Sequence, residues 1–326
     1  MSATPQTPNP LEPFLRAQGV VVLDGGLATE LEARGHALDD KLWSARLLAD
    51  DPDAIRDVHR DYLVAGADVI VAASYQATIE GFRRRGGSES DAVDRLLAAV
   101  GIARAARDAF WSEPANRRGR LRPLVAASVG PYGAARADGS EYTGDYDLDE
   151  TGLVDFHRRR FGLMAASGAD LLACETIPSA AEARALARLL GARSETRAWM
   201  SFSCRDGVRL ADGSDFATLV AAVEPLPNVV AVGVNCTAPA YVGELLERAR
   251  RVTAKPLVAY PSSGERWDAT GRCWLPASEP LALAERAAEW RAHGARLVGG
   301  CCRVGPREIA ALRAALLAGG VRSDRR

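Results

Sequence analysis

Eight short apolar runs, each followed by a stretch of different character, constrain the fold of this chain more than any other feature. They cover residues 20–23, 68–73, 124–129, 170–174, 197–203, 229–236, 256–260 and 296–301, and read as buried parallel strands. Between them, segments such as 52–65, 92–110, 151–166 and 179–190 carry alanine, leucine and arginine at helical spacing. Strand then helix, eight times over, predicts an α/β fold: a single (β/α)8 TIM barrel with extended loops at its C-terminal face. The joints Gly66-Ala67-Asp68, Gly168-Ala169-Asp170 and Gly294-Ala295-Arg296 place glycine as a helix C-cap before the next strand. An open doubly wound sheet is the alternative. It is disfavoured because Asp24-Gly25-Gly26-Leu27-Ala28-Thr29 lacks the third glycine of a dinucleotide fingerprint. No linker divides the chain, so residues 1–326 read as one domain, with the polar, proline-rich residues 1–12 expected to form a flexible tail.

Composition narrows the function. A formal net charge of -1 provides no field for nucleic acid, and the arginine runs 83–85 and 158–160 read as solvated helix ends or faces. No uninterrupted apolar stretch approaches the roughly 20 residues a bilayer needs, and no basic-apolar leader opens the chain. Six cysteines in 326 residues are too sparse for a disulfide scaffold, which points to a reducing, cytoplasmic setting. Oligomeric state is not readable.

The strand ends are chemical. They carry Asp24; Ser74-Tyr75-Gln76; Gly130-Pro131-Tyr132-Gly133; Glu175-Thr176; Ser203-Cys204; Asn235-Cys236; Tyr260 to Glu265; and Cys301-Cys302. Barrel interiors are filled by branched apolar side chains, so polar groups collected at one rim read as a site. Cys236, Cys301 and Cys302 end two of the runs and converge at the C-terminal rim if the barrel closes. Three thiolates there would bind Zn²⁺ with the fourth position open to substrate. The rival readings are small buried hydrophobes, which also suits Cys174, Cys204 and Cys273, and a strained vicinal disulfide that leaves Cys236 without a role. The four histidines, His36, His59, His157 and His293, read as packing or surface residues. Asp24, ahead of Gly25 and Gly26, could meet the amino group of an amino-acid substrate while nearby amides take its carboxylate. Thr29 has a local cap as its rival role.

Taken in order, Asp24 to Leu31, Ser74-Tyr75-Gln76-Ala77, Gly130-Pro131-Tyr132-Gly133 with Asp138-Gly139-Ser140-Glu141-Tyr142, Glu175-Thr176-Ile177-Pro178, Gly233-Val234-Asn235-Cys236, Tyr260 to Glu265 and Gly299-Gly300-Cys301-Cys302-Arg303 carry a resemblance over nearly the whole length. The chain resembles the zinc-dependent homocysteine S-methyltransferases, the branch using S-methylmethionine and including selenocysteine methyltransferases, with the betaine enzymes more distant. Ser262 stands where the family usually has asparagine, Thr237 where many members carry a further cysteine, and Val304-Gly305 in place of a threonine pair.

The resemblance implies that Cys236, Cys301 and Cys302 are the zinc ligands and that Glu175 helps hold the homocysteine amine. Its rival role is an N-terminal helix charge ahead of Pro178. It also implies that methyl passes from S-methylmethionine, or S-adenosylmethionine, to L-homocysteine. A good, cationic leaving group is needed, and aromatic faces hold such cations. Trp43 and Tyr75 match aromatic positions of the betaine relatives, and Tyr132, Tyr142 and Trp267 are expected in rim loops. Gln76 and Asn235, with Gly25, Gly26 and Thr29, complete the expected substrate contacts. The alternatives are betaine or a selenium acceptor, and a zinc-dependent thiol or amino-acid binding module without turnover.

Overall fold

A computed structural model describes residues 7–36, 46–268, 273–277 and 281–318. Eight parallel strands form one sheet: β1 (Val21–Val22), β2 (Val69–Val71), β3 (Leu124–Val129), β4 (Leu171–Ile177), β5 (Ala198–Phe202), β6 (Val229–Asn235), β7 (Leu257–Tyr260) and β8 (Ala295–Val298). Neighbours in sequence pair from β2 through β8, and β8 pairs with β1. The last seam, β1 to β2, is held by a single parallel bridge, Leu23 to Val69, and by the Asp68 amide donating to the Val22 carbonyl at 2.7 Å. The barrel is therefore closed, as the eightfold alternation predicts.

Two apolar layers follow from the pleat. Val21, Val69, Val71, Ala126, Leu171, Ala173, Trp199, Ala231, Val258 and Leu297 pack inside the barrel. Val22, Ile70, Val125, Leu172, Met200, Val232 and Val298 face outward against the helices. The strands are buried on both faces, which is why they read as continuous apolar runs. Helix Pro52–Ala65 has the predicted bounds, and Glu89–Ser112, Glu150–Ala165 and Ala180–Gly191 differ from the expectation by a few residues at their ends. Gly66, Gly168 and Gly294 hold positive φ of 110°, 82° and 101° at the joints. The aspartates that follow do matched work. Asp68 accepts from the Val22 amide at 3.0 Å and Asp170 from the Val125 amide at 2.7 Å, so these two joints each also fix an amide of a neighbouring strand.

The expectation of a flexible tail over residues 1–12 fails for its described part, residues 7–12. The Thr7 carbonyl accepts from Arg197, Leu11 is wholly buried, and helix Glu12–Gln18 drives Phe14 into the interior layer. Apolar burial at Leu11 and Phe14 outweighs the flexibility that proline-rich composition suggested; residues 1–6 lie outside the described residues. A hairpin absent from the sequence reading pairs Arg266–Asp268 with Cys273–Leu275, and Trp267, expected in a loop, falls on it. Among the described residues, no helix is long and apolar enough to cross a membrane.

Candidate active site

The ends of β6, β7 and β8 are sewn together by main-chain bonds. The Cys236 amide donates to the Tyr260 carbonyl at 3.1 Å, Cys301 to Pro261 at 2.6 Å, and Ser263 to Cys302 at 3.0 Å. This brings the sulfurs of Cys236, Cys301 and Cys302 within 3.1, 3.5 and 3.9 Å of one another. Tetrahedral zinc with Zn–S bonds of about 2.3 Å needs sulfurs roughly 3.8 Å apart, so the trio fits that ion. All three are free thiols, and their separations are far beyond a disulfide bond of about 2.05 Å. No other group of three or more potential ligands converges among the described residues. Within the trio, hydrogen bonds to Cys301 and Cys302, with burial, push the Cys236 thiol up. Cys302, accepting from both neighbours, is lowered.

Cys236 holds a φ of 49°, a left-handed conformation rare for a residue with a side chain. The residue before it explains how that is held. Asn235 is wholly buried and reaches over the end of β5: its Oδ1 accepts from the Thr176 amide at 2.6 Å and its Nδ2 donates to Thr176 Oγ1 at 2.7 Å. Thr176 is itself left-handed, with φ 58°. Asn235 was expected to touch substrate, but both ends of its amide are taken by Thr176 and it lies outside the cavity lining. Thr237, one residue further, accepts from the Cys204 amide at 3.0 Å and donates to the Asn235 carbonyl at 3.0 Å.

The thiols line a small cavity of about 100 Å³ that opens at the rim. Gly25, Gly26, Thr29, Tyr75, Gln76, Tyr142, Glu175, Thr176 and Tyr260 share its wall. Gly25 and Gly26 are dictated by space. A Cβ on Gly25 would lie 2.2 Å from the Val304 carbonyl oxygen, and one on Gly26 2.7 Å from that of Cys301. Thr29 accepts from the Arg303 amide at 2.8 Å, donates to the Gly26 carbonyl at 3.2 Å, and faces the cavity. Gln76 is 6% exposed, and its Oε1 is buried without a partner.

Two buried carboxylates lie at the base. Glu175 faces the cavity, accepts from the Ser128 hydroxyl, and is pushed up to about 8 by burial. Asp24 is also pushed up to about 8 by burial, against the lowering effect of its hydrogen bonds. It sits behind the wall, taking the Val71 amide and the Tyr260 hydroxyl, each at 2.7 Å. In place of the direct ligand contact expected of Asp24, the structure shows it supporting Tyr260, a strand-end residue that lines the cavity itself. Arg160 is the buried cation nearby, but its donors go to the carbonyls of Ser74, Tyr75 and Gly130 at 2.6, 2.6 and 3.1 Å. It pins two rim loops.

Of the expected aromatics, Tyr75 and Tyr142 reach the cavity. Tyr142 is 39% exposed at the rim while its hydroxyl turns inward, raised by burial and by the three cysteines. Tyr132 does not reach it. Its hydroxyl bonds Asp147 at 3.1 Å, its ring packs edge-on against Tyr146 and Phe156, and its amide is held by Glu182 at 2.6 Å. Trp43 lies outside the described residues.

The homocysteine S-methyltransferase family model matches residues 21–316. The chain is 48% identical over 307 residues to the homocysteine S-methyltransferase of Escherichia coli strain K12, covering 94% of this chain and 98% of that one. To homocysteine S-methyltransferase YbgG of Bacillus subtilis it is 46% identical over 301 residues, covering 92% and 96%. The crystal structure of the homocysteine methyltransferase MmuM from E. coli in its metallated form matches with a TM-score of 0.84 at 46% identity, over 94% of this chain and 99% of that one. The chain belongs to the homocysteine S-methyltransferase family.

Proposed function

We propose that this protein transfers a methyl group from S-methylmethionine, or a related sulfonium such as S-adenosylmethionine, to the thiol of L-homocysteine, forming methionine. The observation that carries the reading is the trio of thiols at the mouth of a cavity whose inner wall presents a buried carboxylate, Glu175. Cys236, Cys301 and Cys302 would hold Zn²⁺. When bound there, the metal would keep the acceptor sulfur deprotonated near neutral pH.

The chain's own residues do the rest. Glu175 receives the homocysteine ammonium: a carboxylate held near 8 by burial gains a partner charge, which returns it to the ionised form. Ser128 keeps that carboxylate turned into the cavity. Tyr75 and Tyr142 offer aromatic faces to the donor's cationic centre. In the step itself the acceptor sulfur's electron pair forms the new S–CH₃ bond, and the old C–S pair departs with the donor sulfur as a neutral thioether. No methyl-enzyme forms, and alignment of the two sulfurs supplies most of the acceleration.

Betaine remains the second donor class, and a binding module without turnover the second type of function. The domain reading is one barrel, and free thiols suit a cytoplasmic setting. Zinc-replete protein incubated with homocysteine and each donor in turn tests the proposal. Methionine formed with a sulfonium donor supports it, and binding without methionine from any donor refutes it.

A further inference from the structure

Arg160 is a buried charge to which the scheme above gives no part. It stands on helix Glu150–Ala165, is 3% exposed, and aims its guanidinium at the chain leaving β2 and β3. One Nη donates to the carbonyls of Ser74 and Tyr75, the other to that of Gly130. Carbonyls from two segments suit a planar fork of five N–H donors, and a lysine ammonium lacks that spread. Its Nε is buried without a partner, and burial pushes the group down to about 10. A buried charge is costly and adds little to stability by itself, so its value lies in what it holds.

What it holds is the ring of Tyr75. A Cβ on Gly130 would lie 2.5 Å from the Tyr75 carbonyl oxygen and 2.7 and 2.9 Å from Cδ2 and Cε2 of its ring. The glycine that Arg160 grips is therefore also the surface against which the ring rests, and the ring lines the cavity beside the three cysteines. One turn earlier on the same helix, His157 lies 2.7 Å from Glu182, whose Oε1 also takes the Tyr132 amide, so the β3 loop is tied to this helix twice. The acceptor's seat is built separately: main-chain bonds among β6, β7 and β8 hold the thiols, and Ser128 holds Glu175. An aromatic face attracts a cation only within about 6 Å, so the place of the ring matters to the donor. Resting on the methyl-transfer reading above, in which Tyr75 faces the donor's cationic centre, we propose that Arg160 is a positioning residue for the methyl donor: it sets where the Tyr75 ring stands in the cavity wall, and so governs donor binding without touching substrate. Arg160 itself lies outside the cavity lining.

The test uses full-length, zinc-loaded protein, with S-methylmethionine as donor, or S-adenosylmethionine if only that is turned over. Arg160→Lys keeps the charge but not the fork, and is expected to raise the donor KM about tenfold, the order of a lost cation–aromatic contact. The saturated rate, the homocysteine KM and the zinc content should stay within about threefold, the pattern of lost ground-state donor binding. In a Tyr75→Leu background the same substitution should change the donor KM less than twofold, because the group it positions is gone. Arg160→Met, which removes the charge as well, should raise the donor KM at least as much. An unchanged donor KM, equal losses for donor and homocysteine, or an undiminished loss in the Tyr75→Leu background would overturn the assignment while leaving methyl transfer intact. Failure of both Arg160 variants to fold would make the residue structural and overturn it too. Wild-type protein that forms methionine from no sulfonium donor overturns both this and the reading on which it rests.

Discussion

Replacing Asn235 by alanine tests how the barrel holds its thiols in place. The side chain makes two bonds in a wholly buried setting, at 2.6 Å from the Thr176 amide and 2.7 Å to Thr176 Oγ1. Thr176 Oγ1 keeps a second partner in the Tyr75 hydroxyl, so the amide is the group orphaned, at a cost of about 1–3 kcal/mol. The space vacated adds about 1 kcal/mol. Against this, Thr176 at φ 58° stores strain on the order of 1 kcal/mol or more that its release returns. The balance is a loss of about 1–3 kcal/mol, read by urea unfolding of wild type and variant at pH 7. Release of Thr176 also loosens Cys236, the next residue after Asn235, and zinc affinity should fall about tenfold or more, as for other residues that orient metal ligands. A stability change below about 0.5 kcal/mol with unchanged zinc affinity would refute the clamp.

Three further outcomes follow from the same geometry. Asp24 titrates near 8 when folded and near 4 when unfolded. The native state therefore holds an extra proton between those values, and stability falls as pH rises from about 4 to 8 and levels off above. Asp24→Asn, which can still accept from Val71 and can donate to Tyr260, should make that decline shallower in unfolding experiments at pH 5 and 8, Glu175 supplying the remainder; an unchanged slope would clear Asp24 of the effect. Cys302→Ser should abolish turnover and weaken zinc binding yet retain the barrel's circular dichroism, because the packed interior layer lies below the rim. Removing metal from the wild type by chelation should likewise leave the fold in place, and unfolding in either case would make the metal structural.

How much of this was legible from sequence depends on whether the signal is local. The strands were readable because burial on both faces writes an apolar run, and helix Pro52–Ala65 because Asp51, Pro52 and Gly66 mark its ends. The cysteines were readable because each stands at the end of such a run. The plug formed by Leu11 and Phe14 was not, since two apolar residues among prolines give no period. Asn235 was assigned to substrate because a strand end tells where a residue sits and not what its side chain meets; its partner, Thr176, is 59 residues away. Tyr132 failed for the same reason, with Asp147 and Glu182 claiming its hydroxyl and amide. Tyr260 was placed at the rim by its strand end, but its bond to Asp24, 236 residues away, was not legible.

The central claim is that Cys236, Cys301 and Cys302 form a three-sulfur metal seat whose remaining position belongs to the acceptor thiol. X-ray absorption at the zinc edge of the loaded protein, recorded before and after adding homocysteine, tests it directly. The account predicts three sulfur ligands with one lighter atom, rising to four sulfurs near 2.3 Å when homocysteine binds. A sulfur count of three that homocysteine leaves unchanged, under conditions where it is shown to be bound, would contradict it.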